Sequence, residues 1–368
     1  MSVTVQATES GKLASPVPDA GDDMHDSPAE LAAAAARAPK LALALQEFQR
    51  ALVPRFHEAD RSALDNQRRV RRIIYFTAAA GTTAVLLASV QLALKLLALE
   101  AAAQAMAILQ LVVILASTAA VAVGKRTGRK DGWLLERHKA ERLRLLKYGY
   151  LVDLEWWCGG AADAADWRAR LDHDIARIAA LAKVDLPRLA VEESLLDPPR
   201  RDACHRVSPP ELQALVDYYE AKRLGAQRRY FAKRASEGPP SWYDNPRLLG
   251  VVFFGSVGLV VLNFVFEMLW QQRQTFVLQL LSTVCAILAS VLPAVWAGLR
   301  FSRSASELPR NVSRSRARLA VLDELSARLR AQRDDAEGVF WMLRQAEYTL
   351  AADQREWLRV MREAKWHK

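Results

Sequence analysis

Charged and apolar positions segregate along this chain into long blocks. Two blocks, near 73–124 and 248–299, are almost free of charge, and each divides into two apolar runs. Ile73 to Leu94 reads IIYFTAAAGTTAVLLASVQLAL and Ala101 to Val123 reads AAAQAMAILQLVVILASTAAVAV, neither with a charged residue. Leu248 to Phe266 and Phe276 to Leu299 repeat the design. A helix of roughly 20 apolar residues crosses a hydrocarbon core of about 30 Å. A soluble helix of that length would carry a charged stripe at helical period, and none of the four runs has one. The links from Lys95 to Glu100 and from Glu267 to Gln274 permit only tight turns, which predicts two hairpins.

The polar blocks predict more helices. Ser27-Pro28-Ala29-Glu30 and Ser208-Pro209-Pro210-Glu211 have the form of capping boxes with Pro at the first helical position. The first opens an Ala-rich helix interrupted at Pro39 and Pro54; the second opens a helix through Tyr218, Tyr219 and Tyr230. Gly132 to Trp157 continues from the second span, Gly159-Gly160 breaks it, and residues 161–182 form a further helix. After the fourth span, Val312 to Arg333 and Val339 to Lys365 read as amphipathic helices, with Leu322, Leu325 and Leu329 at helical spacing. Nothing reads as a strand. The expected organisation is a disordered tail at 1–26 and a first module at 27–183 with spans 73–94 and 101–123. A linker at 184–207 then leads to a second module at 208–368 with spans 248–266 and 276–299. The expected fold class is an all-α membrane protein of four transmembrane helices in two hairpins, with long cytoplasmic helices.

Charge adds orientation. The net charge of +10 is concentrated beside the spans, as at Arg68, Arg69, Arg71 and Arg72 before the first, and Lys125, Arg126, Arg129 and Lys130 after the second. Lys233, Arg234 and Arg247 precede the third span, and Arg300, Arg303 and Arg310 follow the fourth, while the turns are nearly neutral. Cytoplasmic flanks carry the Lys/Arg excess, so both termini are expected in the cytoplasm. Such flanks suit anionic lipid headgroups; the bilayer is the expected partner and nucleic acid is not. Cys158, Cys204 and Cys285 show no paired spacing and read as free thiols.

Candidate chemistry is sparse. The six histidines are scattered, Asp172-His173-Asp174 points its side chains apart on a helix, and no catalytic, metal or cofactor set emerges. Gly124-Lys125-Arg126-Thr127-Gly128 lacks the phosphate-loop pattern. No run carries a mid-span charge, which weighs against ion-coupled transport. Within the spans Gln110 and Ser117 share a face of the second, Ser256 and Asn263 share one of the third, and Ser290 lies on the small-residue side of the fourth. These positions suit either helix packing or the lining of an aqueous path between assembled subunits.

One stretch suggests a family. Trp133, Arg137, Glu141 and Arg144, in GWLLERHKAERLRLLKYGYL just after a two-helix hairpin, resemble the SLATT family, the SMODS- and SLOG-associating two-transmembrane effector domains of bacteria. In the second half Tyr219, Arg223 and Tyr230 before the hairpin, and Glu347 and Trp357 near the C-terminus, look like the flanking helices of such a domain. The chain thus resembles two modules in tandem over most of 40–365. The resemblance implies an inner-membrane effector that forms homo-oligomers and permeabilises the membrane on a nucleotide-dependent signal from an upstream protein in antiviral conflict. A non-conducting scaffold or sensor is the alternative. On the residues alone, Arg137 and Glu141 suit docking against another helix, and Trp133 suits the headgroup layer.

Overall fold

A computed structural model describes residues 21–159, 161–189, 207–236, 246–306, 308–332 and 335–363. The described residues are helical, without a strand. A single turn, α1 (Gly21–Met24), precedes α2 (Pro28–Arg37) and α3 (Pro39–Glu47). The capping box at the start of α2 forms: Ser27 N donates to Glu30 Oε2 at 2.8 Å and Glu30 N donates to Ser27 Oγ at 3.3 Å. Pro39 takes the first turn of α3, where no N–H is needed. Pro54 does not break the chain's course. The π-helical turn Phe48–Leu52 ahead of it passes directly into α4 (Val53–Leu96), widening the helix where the proline ring and its missing donor would otherwise clash.

The long helix α4 runs 44 residues, about 66 Å. Its C-terminal part is the first span, and α5 (Glu100–Arg126) returns as the second. Ala98 adopts φ 56° between them, and Leu99 N donates to Leu94 O at 2.9 Å, which closes the end of α4. Gly128, at φ 53°, turns the chain into α6 (Arg129–Leu151), which packs back along α4. The small helices α7 (Leu154–Cys158), α8 (Ala161–Ala179) and α9 (Leu186–Leu189) follow.

The second half repeats the plan. After α10 (Pro209–Tyr218), a π-helical turn Tyr219–Leu224 leads into α11 (Gly225–Ser236). The apolar pair α12 (Pro246–Arg273) and α13 (Phe276–Ser306) turns through Gln274 at φ 48°, and α14 (Leu308–Ala331) and α15 (Ala336–Glu363) complete the chain. Among the described residues, four helices are long and apolar enough to cross a membrane, and they pair as expected, α4 with α5 and α12 with α13. The architecture is that of a multi-pass helical membrane protein.

The two pairs meet through α4 and α13. Ser89 and Ser290 hydroxyls lie 2.8 Å apart across that seam. A Cβ on Gly298 would run into Thr82 Oγ1, so the glycine permits the close approach. The outer helices α5 and α12 instead expose Ile108, Leu111 and Leu115, and Phe254, Val261 and Phe264, as lipid-facing surfaces do.

The polar blocks of both halves share one hydrophobic core. Phe48, Phe56, Tyr148, Trp157 and Trp167 from the first half pack with Leu215, Tyr219, Phe340 and Leu343 from the second. A smaller cluster joins Trp133 and Leu134 to Leu186, Leu189, Leu358 and Met361. The start of the expected linker is therefore packed, and the rest of it, 190–206, lies outside the described residues. Order also reaches further towards the N-terminus than Ser27, since Met24 is fully buried. Cys285 is a buried free thiol in its span. Cys158 departs from the free-thiol expectation, because it is disulfide-bonded; Cys204 lies outside the described residues.

Candidate functional site

The core is crossed by a network of buried charges. On α6, Arg144, Lys147 and Tyr148 occupy positions three and four apart, so they share one face. On the second π turn, Tyr219, Lys222 and Arg223 face them, with Tyr218 just before. The widened turn, closed by Gly225 N donating to Glu220 O, places more residues on one side than an α-helix would. A Cβ at Gly225 would sit 3.1 Å from that same carbonyl, so a small residue suits the position.

The centre of the network is a three-residue cluster. Arg223 Nε and Nη2 donate to the two oxygens of Glu347 at 2.9 and 2.8 Å, and Tyr219 Oη donates to Glu347 Oε1 at 2.6 Å. Glu347 comes from α15, and only 1% of it is exposed. The Arg223 guanidinium also lies over the Tyr148 ring, 4.6 Å from its centre, and Tyr148 meets Tyr219 edge-on at 5.8 Å. Two α10–α11 residues, one α15 residue and one α6 residue thus meet at one point.

A second arm runs along α6. Arg144 donates to Glu141 Oε1 at 2.7 Å, Arg137 pairs with the same carboxylate, and Arg137 reaches Asp60 of α4 at 3.2 Å. Burial alone would raise the Glu141 carboxyl, but Arg137 and Arg144 outweigh it and hold the pKa at about 2. Burial opposes charge on Arg144 and Arg223 too, yet Asp23 with Glu141, and Glu347, keep both above the ordinary arginine value. His138, on the same helix, is buried with neither ring nitrogen hydrogen-bonded; burial, then Arg142, push its pKa down to about 4.

The third arm was not legible in the sequence. The Asp23–Asp26 segment enters the bundle and meets Lys147, whose ammonium is fully buried. Tyr218 Oη donates to Asp26 Oδ1 at 2.7 Å, and Tyr148 Oη donates to Asp23 O at 2.6 Å. Burial lowers the Lys147 pKa against the pull of Asp26. One signal pointed here: Lys147 lies four residues from both Leu143 and Leu151, a lysine in the middle of an apolar stripe. Asp23 and Asp26 carry no comparable mark.

The remaining sequence candidates fall in three places. Trp133 is buried within the chain and meets Trp357 of α15 edge-on at 6.1 Å. Tyr230 lies away from the network, edge-on to Phe231 and under Arg234. Within the spans, Gln110 lines an open groove of about 390 Å³ with Ser89, Ala286 and Ser290, whereas Ser117 lies half-buried on α5. Asn263 accepts from Ser282 of α13 at 2.8 Å, and Ser256 bonds back to Val252 O at 2.7 Å. Among the described residues no His, Cys, Asp and Glu group has a metal-binding arrangement. No protein-family model, characterised protein or solved structure matches the chain, so the functional reading rests on this geometry.

Proposed function

We propose that the chain is a bacterial inner-membrane effector, with both termini and the shared bundle in the cytoplasm, whose buried charge network holds the spans in a closed arrangement. The observation that carries this reading is the continuity of α4. One unbroken helix bears Asp60, at the end of the network, and Ser89, in the seam with α13. A helix of that length transmits a shift in the bundle to the spans. Buried ion pairs suit a two-state device, because they are geometrically demanding and contribute little net stability. A signal that binds the released arrangement more tightly shifts the population towards it. The Gln110 groove beside the seam is where a path would widen, within one chain or between copies in a homo-oligomer. The SLATT resemblance supplies the class of trigger, a nucleotide-dependent signal from an upstream protein in antiviral conflict.

The test is induced expression in a bacterial host, recording membrane potential and dye entry beside growth. Glu347→Gln, inserted to the wild-type level, is expected to depolarise cells before growth arrest, and Gln110→Leu in that background to weaken the effect. One observation favours the second reading, a non-conducting scaffold: Asn263 is already engaged inside the α12–α13 pair. If Glu347→Gln and the wild type both hold potential with neighbouring signalling genes supplied, the scaffold reading replaces the effector.

A further inference from the structure

The Asp23–Asp26 segment is seated like a ligand. The three hydrogen bonds of the Lys147 ammonium all go to it: Asp23 O at 3.0 Å, Met24 O at 3.1 Å and Asp26 Oδ2 at 3.0 Å. Lys222 adds a bond to His25 O at 3.2 Å. At the other end, Asp23 Oδ2 lies 2.8 Å from Arg144 Nε and 4.0 Å from Arg223 Nη1.

The fit is incomplete at that end. Arg144 Nε and Nη2 and Arg223 Nη1 are buried without a hydrogen-bond acceptor. Glu141 and Glu347 occupy one part of each guanidinium, and these N–H groups are what remains. Leaving charged donors unsatisfied in a core is costly. A carboxylate presents two oxygens in one plane, whereas a phosphoryl group presents three or more around a tetrahedron and matches converging guanidinium donors.

We propose that Arg144, Lys147 and Arg223, with the hydroxyls of Tyr148 and Tyr218, form a phosphoryl-binding site that the Asp23–Asp26 segment fills as a tethered stand-in. Segment docking and phosphoryl binding then exclude each other. The ligand is a soluble phosphorylated molecule rather than a lipid headgroup, because the site is enclosed by core residues, Tyr148 and Tyr219 among them. The proposal stands on the network geometry and holds whether or not the spans conduct.

Met24, fully buried in the seated segment, is the reporter. In the full chain in nanodiscs, with Cys285→Ala to remove the free thiol, the maleimide labelling rate of Met24→Cys is measured in inorganic phosphate and in sodium chloride at matched ionic strength. The chain lacking Met24→Cys gives the background. Phosphate is expected to raise the rate about tenfold at ten times its dissociation constant. Asp26→Asn is expected to raise it without phosphate. Arg223→Lys keeps a charge for Glu347 but lacks the second guanidinium donor, so it is expected to abolish most of the phosphate effect. Equal rates in phosphate and chloride would overturn the site, and an unchanged rate in Asp26→Asn would overturn the stand-in. Hydrogen exchange across residues 23–31 of the unsubstituted chain in the same two salts gives the same answer without any new cysteine.

Discussion

Arg223 and Glu347, 124 residues apart in sequence, form a buried two-bond ion pair with both side chains almost wholly removed from solvent. The pair joins the π turn ahead of the second hairpin to the C-terminal helix, and Tyr219 completes the coordination of the carboxylate.

Removing one partner of this pair is expected to be worse than removing both. Glu347→Leu leaves a buried guanidinium uncompensated and is expected to destabilise the bundle by about 3–5 kcal/mol. Arg223→Met with Glu347→Leu removes the charge and the desolvation cost together, and is expected to recover most of that loss. Thermal unfolding in detergent, followed by circular dichroism, compares the three; a double variant no more stable than Glu347→Leu would show that the pair is not the source.

Acidification is expected to destabilise the bundle in two stages. His138 has its pKa lowered to about 4 in the fold against an ordinary 6.5, so the unfolded chain binds the proton first. Its contribution is complete above pH 6.5 and is lost as pH falls towards 4, by roughly 3 kcal/mol in all. Glu141, lowered from 4.5 to about 2, adds a loss in the same direction below pH 4.5. Stability measured between about pH 7 and pH 4.5 is expected to fall in the wild type and to flatten in His138→Leu. An unchanged slope in that variant would assign the upper stage to another group.

The seam between α4 and α13 depends on Gly298. Adding a methyl group there drives it against Thr82 Oγ1, and Gly298→Ala is expected to cost about 1–3 kcal/mol, the usual penalty for overpacking. Thr82→Ala in the same chain is expected to relieve it. By contrast, Ser290→Ala removes the Ser89 contact across the seam and a bond back to Ile287 O within α13, and the loss across the seam is expected to cost about 0.6 kcal/mol, as hydrogen bonds between membrane helices do. Thermal unfolding of the four chains in matched detergent separates the effects.

Trp133 and Trp357 fasten the C-terminal helix to the first turns of α6. A double-mutant cycle with Trp133→Leu and Trp357→Leu is expected to return a coupling of about 0.5–1.5 kcal/mol, the range for an edge-on aromatic pair. A coupling near zero would mean that each ring is held by its other neighbours alone.

Much of the fold was legible because its causes are local. Four uncharged runs specify four spans, the Ser27 capping box specifies the start of α2, and the Leu322–Leu329 spacing marks an amphipathic helix. The readings that changed concerned what a helix face meets. Trp133 suited a headgroup layer by position, yet α15 returns to cover it. The apolar face of α15 carries Phe340, Leu343 and Ala346, and the chain itself covers it, with Trp157 against Phe340.

The sequence by itself determined where the membrane helices lie, since hydrocarbon thickness and backbone hydrogen bonding act on consecutive residues. It also marked Tyr219, Arg223 and Glu347 without joining them. Only the tertiary structure decided that these three meet, that Lys147 is buried, and that Asp23 and Asp26 leave the expected tail to neutralise it. A buried charge is tolerated according to the partners the fold brings within about 3–4 Å. Those partners come from four segments distant in sequence, so no periodicity along the chain announces them.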